Sequence, residues 1–255
     1  MCTLSWIRDN DSYQVFFNRD EQRSRSQAQP PQCIDHSGVP VLLPLDPDGG
    51  GSWISVNGHG LSLCLLNYYQ GTIPHSGKKL ISRGKLLRSL AHTGNIESLN
   101  ELILTTDLTH YAPFTLVAFQ IKPDQQLPQE KTFQWDGVEI HRSQPENMIT
   151  SSSVKFDEVS KQRQQFYAQN VSSPPCSEHE IEHKIKHNTD KHISFHASHG
   201  TEKNHRSVCM HREDARTVSF SHILVTNSRI EFRYHDGSPC ESSSTDTTVS
   251  QHRIS

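Results

Sequence analysis

The chain has 255 residues, 33% of them hydrophobic, and a formal net charge of −3. That is long enough for one large core or two small ones, and too apolar for the disordered class. The near-balanced charge leaves no basic footprint for nucleic acid or anionic lipid, and no apolar run reaches the roughly 20 residues of a membrane span.

The hydrophobic pattern predicts two opening strands, residues 3–8 and 13–18, joined by the polar turn Asp9-Asn10-Asp11-Ser12. Antiparallel pairing of such a hairpin brings Arg19 and Asp20 back to the level of Cys2. Residues 22–52 read mostly as loop, broken by Pro30-Pro31, Pro44 and Pro47. Gly49-Gly50-Gly51 ahead of Trp53 predicts a turn or a close backbone approach. A second hairpin follows, residues 52–56 and 61–67, turning at Asn57-Gly58-His59-Gly60.

Ser82 is placed to cap a helix carrying Leu86, Leu87 and Leu90. Asn95 is placed to cap another, with Ile96, Leu99, Leu102 and Ile103 on one face. Residues 114–121 read as a strand, 131–142 as a hairpin turning at Asp136-Gly137, and 157–168 as a helix with Val159, Phe166 and Tyr167 inward. A polar, histidine-rich insertion occupies about 171–205. Strands are expected at 207–211, 217–226 and 229–234, and the Ser/Thr-rich tail 241–255 reads as disordered. Hairpins, helices and strands in this order favour an α+β fold over a doubly wound parallel one, as a single domain over 1–240. No phosphate-cradling glycine motif is present.

Cys2 carries the most chemical information. Removal of Met1 would leave a thiol and a free α-amine on one residue, a nucleophile with its own base. An Arg-Asp pair on the neighbouring strand, Arg19 and Asp20, is placed to tune the thiol and orient the amine. The six cysteines, at 2, 33, 64, 176, 209 and 240, form no CxxC pair, which fits free thiols in a reducing cytoplasm. Met1–Trp6 lacks the basic and apolar regions of a signal peptide.

Met1-Cys2-Thr3, Phe17-Asn18-Arg19-Asp20-Glu21, Ser24-Arg25, Gly50-Gly51-Ser52-Trp53, Asn57-Gly58-His59-Gly60, Leu65-Leu66-Asn67-Tyr68 and Ser82-Arg83-Gly84 form an ordered set. It covers roughly the first 90 residues, and Pro113-Phe114 and 207–212 continue it more faintly. The set resembles the Asn-Arg-Asp-Glu (NRDE) family, also called the transport and Golgi organisation protein 2 family. That family looks like the cysteine N-terminal-nucleophile (Ntn) hydrolases, with penicillin V acylase and the bile salt hydrolases. The resemblance implies a four-layer αββα sandwich and cleavage of a non-peptide C–N amide bond by Cys2.

Arg19 then matches the residue that holds the thiolate and the substrate end, and Asp20 the carboxylate that orients the α-amine. Glu21 competes with Asp20 as the inward-facing acid. Asn67 matches an oxyanion-hole amide. Where the amidases place a second asparagine, this chain has Thr150-Ser151-Ser152, so Ser151 stands as the substitute donor. Arg206 matches a late arginine of the amidases.

The resemblance thus implies a small-molecule acyl amide as substrate, with no cofactor. The alternative is a non-catalytic carrier of a hydrophobic ligand, haem or an acyl conjugate, on the same fold. A third reading is thiol sensing by Cys2. His179, His183 and His187 would share one helix face, followed by His192, His196, His199 and His205. Their glutamate and lysine neighbours favour a solvated surface, so no metal site is expected.

Overall fold

The structure is a computed structural model. It describes residues 1–74, 79–122, 127–171, 181–200, 202–241 and 245–254, without the side chains of 181–185 and 245. Cys176 and His179 lie outside the described residues, as does the side chain of His183.

The first hairpin forms as its alternation predicts. Strand β1 (Cys2–Asp9) pairs antiparallel with β2 (Ser12–Gln22) in a register that sets Cys2 opposite Arg19 and Thr3 opposite Asn18. Because side chains alternate across a strand, Cys2, Leu4 and Trp6 face one way, with Tyr13, Val15 and Phe17. Thr3 and Ser5 face the other, with Phe16, Asn18 and Asp20.

The second hairpin is β5 (Ile54–Asn57) and β6 (Leu61–Asn67). Asn57 organises its turn: the amide donates to the carbonyls of Ala91 and Thr93, and Oδ1 accepts from the N–H groups of His59 and Leu61. The 22–52 region corrects the loop expectation. It holds β3 (Gln29–His36) and β4 (Val39–Leu45), a hairpin whose outer strand is the edge of its sheet. Prolines are tolerated on an edge strand because a missing N–H there costs no ladder bond. Strands β7 (Phe114–Gln120), β8 (Gln129–Trp135) and β9 (Ile140–Ser143) complete a seven-stranded antiparallel sheet in the order β3-β4-β5-β6-β7-β8-β9.

The other sheet has six strands, β10-β1-β2-β11-β12-β13, with β10 (Met148–Ser151), β11 (Ala215–Thr226), β12 (Arg229–Asp236) and β13 (Thr245–His252). The tail expected to be disordered is thus an edge strand, paired with β12 along its length. Its threonines and Val249 are good strand formers, and Val249 packs on the core. Residues 207–210, expected as a strand, are a buried loop. Their backbone bonds go elsewhere: Cys209 N–H to Ser198 O, and Val208 O from the Asn18 amide.

The two sheets pack face to face through Leu4, Trp6, Phe17, Ile54, Cys64, Leu66, Val117, Phe119, Ile223 and Phe232. Helices α1 (Arg83–Leu90) and α2 (Ile96–Thr105) cover the seven-stranded sheet through Leu86, Leu87, Leu90, Leu99 and Ile103. Asn95 caps α2 by accepting from Ser98 N–H at 2.8 Å, whereas the Ser82 side chain makes no capping bond to α1. Helices α3 (Phe156–Asn170) and α4 (Ile181–Ala197) cover the six-stranded sheet. The result is the four-layer αββα sandwich of an α+β fold.

Helix α4 corrects the reading of the histidine-rich stretch. His187 is exposed, but His192 and His196, one turn apart, are buried against β1 and β2. Ser5 Oγ lies 2.8 Å from His192 Nδ1 and 2.9 Å from His196 Nε2. Phe16 is sandwiched between the rings of His192 and His222. Asn18 bonds the carbonyl of His196 and so fastens the end of the helix to β2. These imidazoles pack as neutral aromatic rings, because burial pushes His192 and His222 down to about 3 and His196 well below its usual value.

Between the unfolded value of 6.5 and about 3, the unfolded chain binds more protons at these sites than the folded one. Their contribution is therefore complete above about pH 6.5 and lost as pH falls. Urea denaturation is expected to show a loss of about 2 kcal/mol per histidine from about pH 7 to about pH 5, with a shallower loss in His222→Gln. Equal slopes in the two proteins would overturn the assignment for His222.

Candidate active site

The ends of β1 and β2 meet β10 and β11 at one end of the six-stranded sheet. Cys2 lies directly between Arg19 on β2 and Ser151 on β10. A cavity of about 400 Å³ opens over this point, touched by Cys2, Arg19, Asp20, Glu21, Trp53 and Asn67 among others. Its far wall comes from the glycine turn and the start of α1. There Gly51 approaches Gly84 so closely that a Cβ would sit 2.2 Å from the Gly84 carbonyl carbon. This is the backbone approach that the triple glycine predicts.

Arg19 is buried on the cavity side. Its guanidinium stacks 4.2 Å over the Trp53 ring and lies 3.4 Å from Glu21 and 3.7 Å from Asp46. Arg25 reaches the same acids, bonding Asp46 and lying 3.6 Å from Glu21. The rim is therefore a lattice of alternating charges, and Glu21 is part of it.

Strand alternation sends Asp20 to the opposite face from Arg19. Its Oδ1 accepts from Thr217 Oγ1 at 2.6 Å, and its Oδ2 lies 4.0 Å from the guanidinium of Arg163. A β-bulge at Val218 shifts the β2–β11 register here, so that Thr217 pairs with Asp20 and Ser219 with Arg19. Both Asp20 and Arg163 have fully buried side chains. Burial pushes the Asp20 carboxyl up, opposed by Arg163, the N-terminal ammonium and Thr217.

Arg163 is the residue that sequence reasoning missed. It donates to Thr3 Oγ1 at 2.7 Å, Thr150 Oγ1 at 2.8 Å and Ser207 O at 2.5 Å. The signal was present: Val159, Arg163 and Tyr167 recur every four residues, so the arginine sits within the apolar stripe of α3. Arg206 is elsewhere, in a half-exposed ion pair with Glu158 of α3, outside the cavity over Cys2.

Asn67 ends β6 at the cavity wall, its amide donating to the Tyr69 hydroxyl at 2.8 Å. The Ser151 hydroxyl is buried without a hydrogen-bond partner and lines a neighbouring cavity that Asn67 also borders. Met1 is buried. Its carbonyl accepts from Asp20 N–H at 2.9 Å, and its side chain packs on Met210 and Ala215. The lowered thiol expected for Cys2 is not found. Burial pushes it up, outweighing the Met1 ammonium and Arg19, so the thiol is protonated at neutral pH while Met1 is attached.

Two helix-covered antiparallel sheets, with a cysteine at the start of β1, define an Ntn-hydrolase fold. The chain is similar to two variants of conjugated bile acid hydrolase from Clostridium perfringens, one with a cysteine replaced by alanine and one with an arginine replaced by leucine. Identity is 13% in both, over 98% of this chain and 96% of theirs, with TM-scores of 0.50 and 0.53. No curated protein matches the chain. Residues 1–236 match Transport and Golgi organisation 2, and the chain belongs to that family.

Removing one member of a buried ion pair strands the other's charge, at a cost of about 3–5 kcal/mol. Arg163→Met is expected to destabilise the protein by that amount in urea denaturation. In a double-mutant cycle with Asp20→Asn, the two losses should fall short of additivity by about 1 kcal/mol or more. Additive losses would mean that the arginine serves only the backbone carbonyls and threonines.

Proposed function

We propose that this chain is an N-terminal-cysteine hydrolase that cleaves a non-peptide C–N amide bond of a small acylated substrate through a thioester. The observation that carries this reading is the placement of Cys2 between Arg19 and Ser151 on a cavity floor, with the buried Asp20–Arg163 pair behind it.

Removal of Met1 converts the Cys2 amide into an α-amine. Asp20 N–H holds the carbonyl lost in that cut, so the new amine lies beside Asp20. The amine takes the thiol proton as Sγ attacks the carbonyl carbon. The tetrahedral oxyanion draws on Asn67 Nδ2 and the unpaired Ser151 hydroxyl, each donor being worth about 3 kcal/mol when well aimed. Collapse breaks the C–N bond, and the leaving nitrogen takes the proton from the α-ammonium. Water then adds to the thioester, releasing the carboxylic acid and restoring the thiol. Arg19, Arg25 and the facing acids suit a substrate with a polar or charged end.

A second reading is a non-catalytic carrier of a hydrophobic ligand, haem or an acyl conjugate. Its support is the burial of Met1 and the raised Cys2 thiol. The state of the N-terminus separates the two, because the α-amine has no catalytic role while acylated by Met1.

Intact-mass spectrometry before and after brief exposure to a thiol-directed electrophile is expected to show loss of Met1. It should also show one fast adduct that disappears in Cys2→Ala. Retained Met1, or labelling of Cys2 no faster than of Cys33 or Cys240, would sink the hydrolase reading in favour of the carrier. In an acyl-amide assay, Asn67→Ala should lower kcat by about 10²-fold with a smaller change in KM.

A further inference from the structure

A second cluster of reactive side chains lies apart from the cavity over Cys2. His199 follows the end of α4, Cys209 and His211 lie in the buried loop before β11, and Cys240 follows β12. One ligand atom from each, two imidazole nitrogens and two sulfurs, lies within 4.8 Å of all the others. Both cysteines are free thiols.

The two thiols hydrogen-bond to each other, but the imidazoles of this cluster are poorly partnered. His211 Nε2 faces both sulfurs, at 3.6 Å from Cys209 and 3.3 Å from Cys240. His199 Nε2 is buried with no hydrogen-bond partner. A single nitrogen shared by two thiols, beside an orphaned one, leaves polar atoms that normally find partners in a folded protein.

A tetrahedral ion resolves all four at once. Zn–S bonds of about 2.3 Å and Zn–N bonds of about 2.0 Å separate ligand atoms by roughly 3.3–3.8 Å. The two sulfur–nitrogen separations at His211 already fall within that range. Two sulfurs and two imidazoles select zinc over the hard, oxygen-seeking cations. Two thiolates would also neutralise the ion's charge in a partly buried site.

We propose that His199, Cys209, His211 and Cys240 form a structural zinc site. Binding releases the two thiol protons to solvent as the four metal–ligand bonds form, with no change of oxidation state. The ion would bolt three chain segments together: the α4 terminus, the loop before β11 and the turn leaving β12. Met210, between two of the ligands, packs against Met1, and its carbonyl accepts from Thr217 N–H. The bolt would thus brace the floor beneath the N-terminus without touching substrate.

The test is metal analysis of the full-length protein, purified without chelator and dialysed against metal-free buffer. Roughly one zinc per chain is expected in the wild type and in Cys33→Ser, with near-complete loss in Cys240→Ser and Cys209→Ser. Cobalt(II) added to the metal-stripped wild type should give the intense visible bands of a tetrahedral thiolate site, a readout that does not depend on how the variants fold. A metal-free wild type without those bands would overturn the proposal. So would a Cys209–Cys240 disulfide, seen as a mass lower by two hydrogens, or zinc retained by both cysteine variants.

Discussion

The register between β1 and β2 is the constraint on which the rest depends. Once Thr3 pairs with Asn18, Cys2 must face Arg19, and alternation must send Asp20 to the opposite side of the sheet. A slip of one residue would put Cys2 and Leu4 against the helices and Thr3 and Ser5 into the apolar sandwich. The burial of Leu4, Trp6, Val15 and Phe17 between the sheets forbids that slip. The thiol is therefore placed by the hydrophobic effect acting several residues away, rather than by polar contacts of its own.

The same sheet separates two electrostatic environments. On the sandwich side, Arg19 meets Glu21, Asp46 and the Trp53 ring at the edge of a water-accessible cavity. On the helix side, Asp20 and Arg163 share a space from which water is excluded. The charges at the cavity edge pair directly with one another and are partly open to water, whereas the pair behind the sheet is held by low dielectric and by the fixed hydroxyls of Thr3, Thr150 and Thr217.

Much of this was legible in the sequence, because the pattern and the physics agree there. Alternating apolar residues on either side of Asp9–Ser12 specify the first hairpin, and Asn57 to Gly60 specify the second. The edge strands were hidden: prolines disguise β3, and serines and threonines disguise β13, because an edge needs neither a full ladder nor a buried face. Arg163 was hidden by its type, since a charge within an apolar stripe reads as surface until its partners are known. Cys209, His211 and Cys240 were hidden by distance, because only the pairing of β11 with β12 brings Cys240 back to the loop. His192 and His196 look like their solvated neighbours until β1 supplies Ser5 between them.

The partner of β2 on its inner side is β11, which begins at Ala215, so nearest neighbours in this sheet are separated by most of the chain. Contacts of such sequence separation form late and slow folding. During synthesis, the opening hairpin leaves the ribosome with β2 lacking its inner neighbour, and that edge stays unpaired until the last third of the chain has followed. The end of the sheet that carries Cys2 is among the first parts to be made and among the last to be assembled. Any enzyme that edits the first residues has that interval in which to reach them, before Met210 and Ala215 arrive to cover Met1.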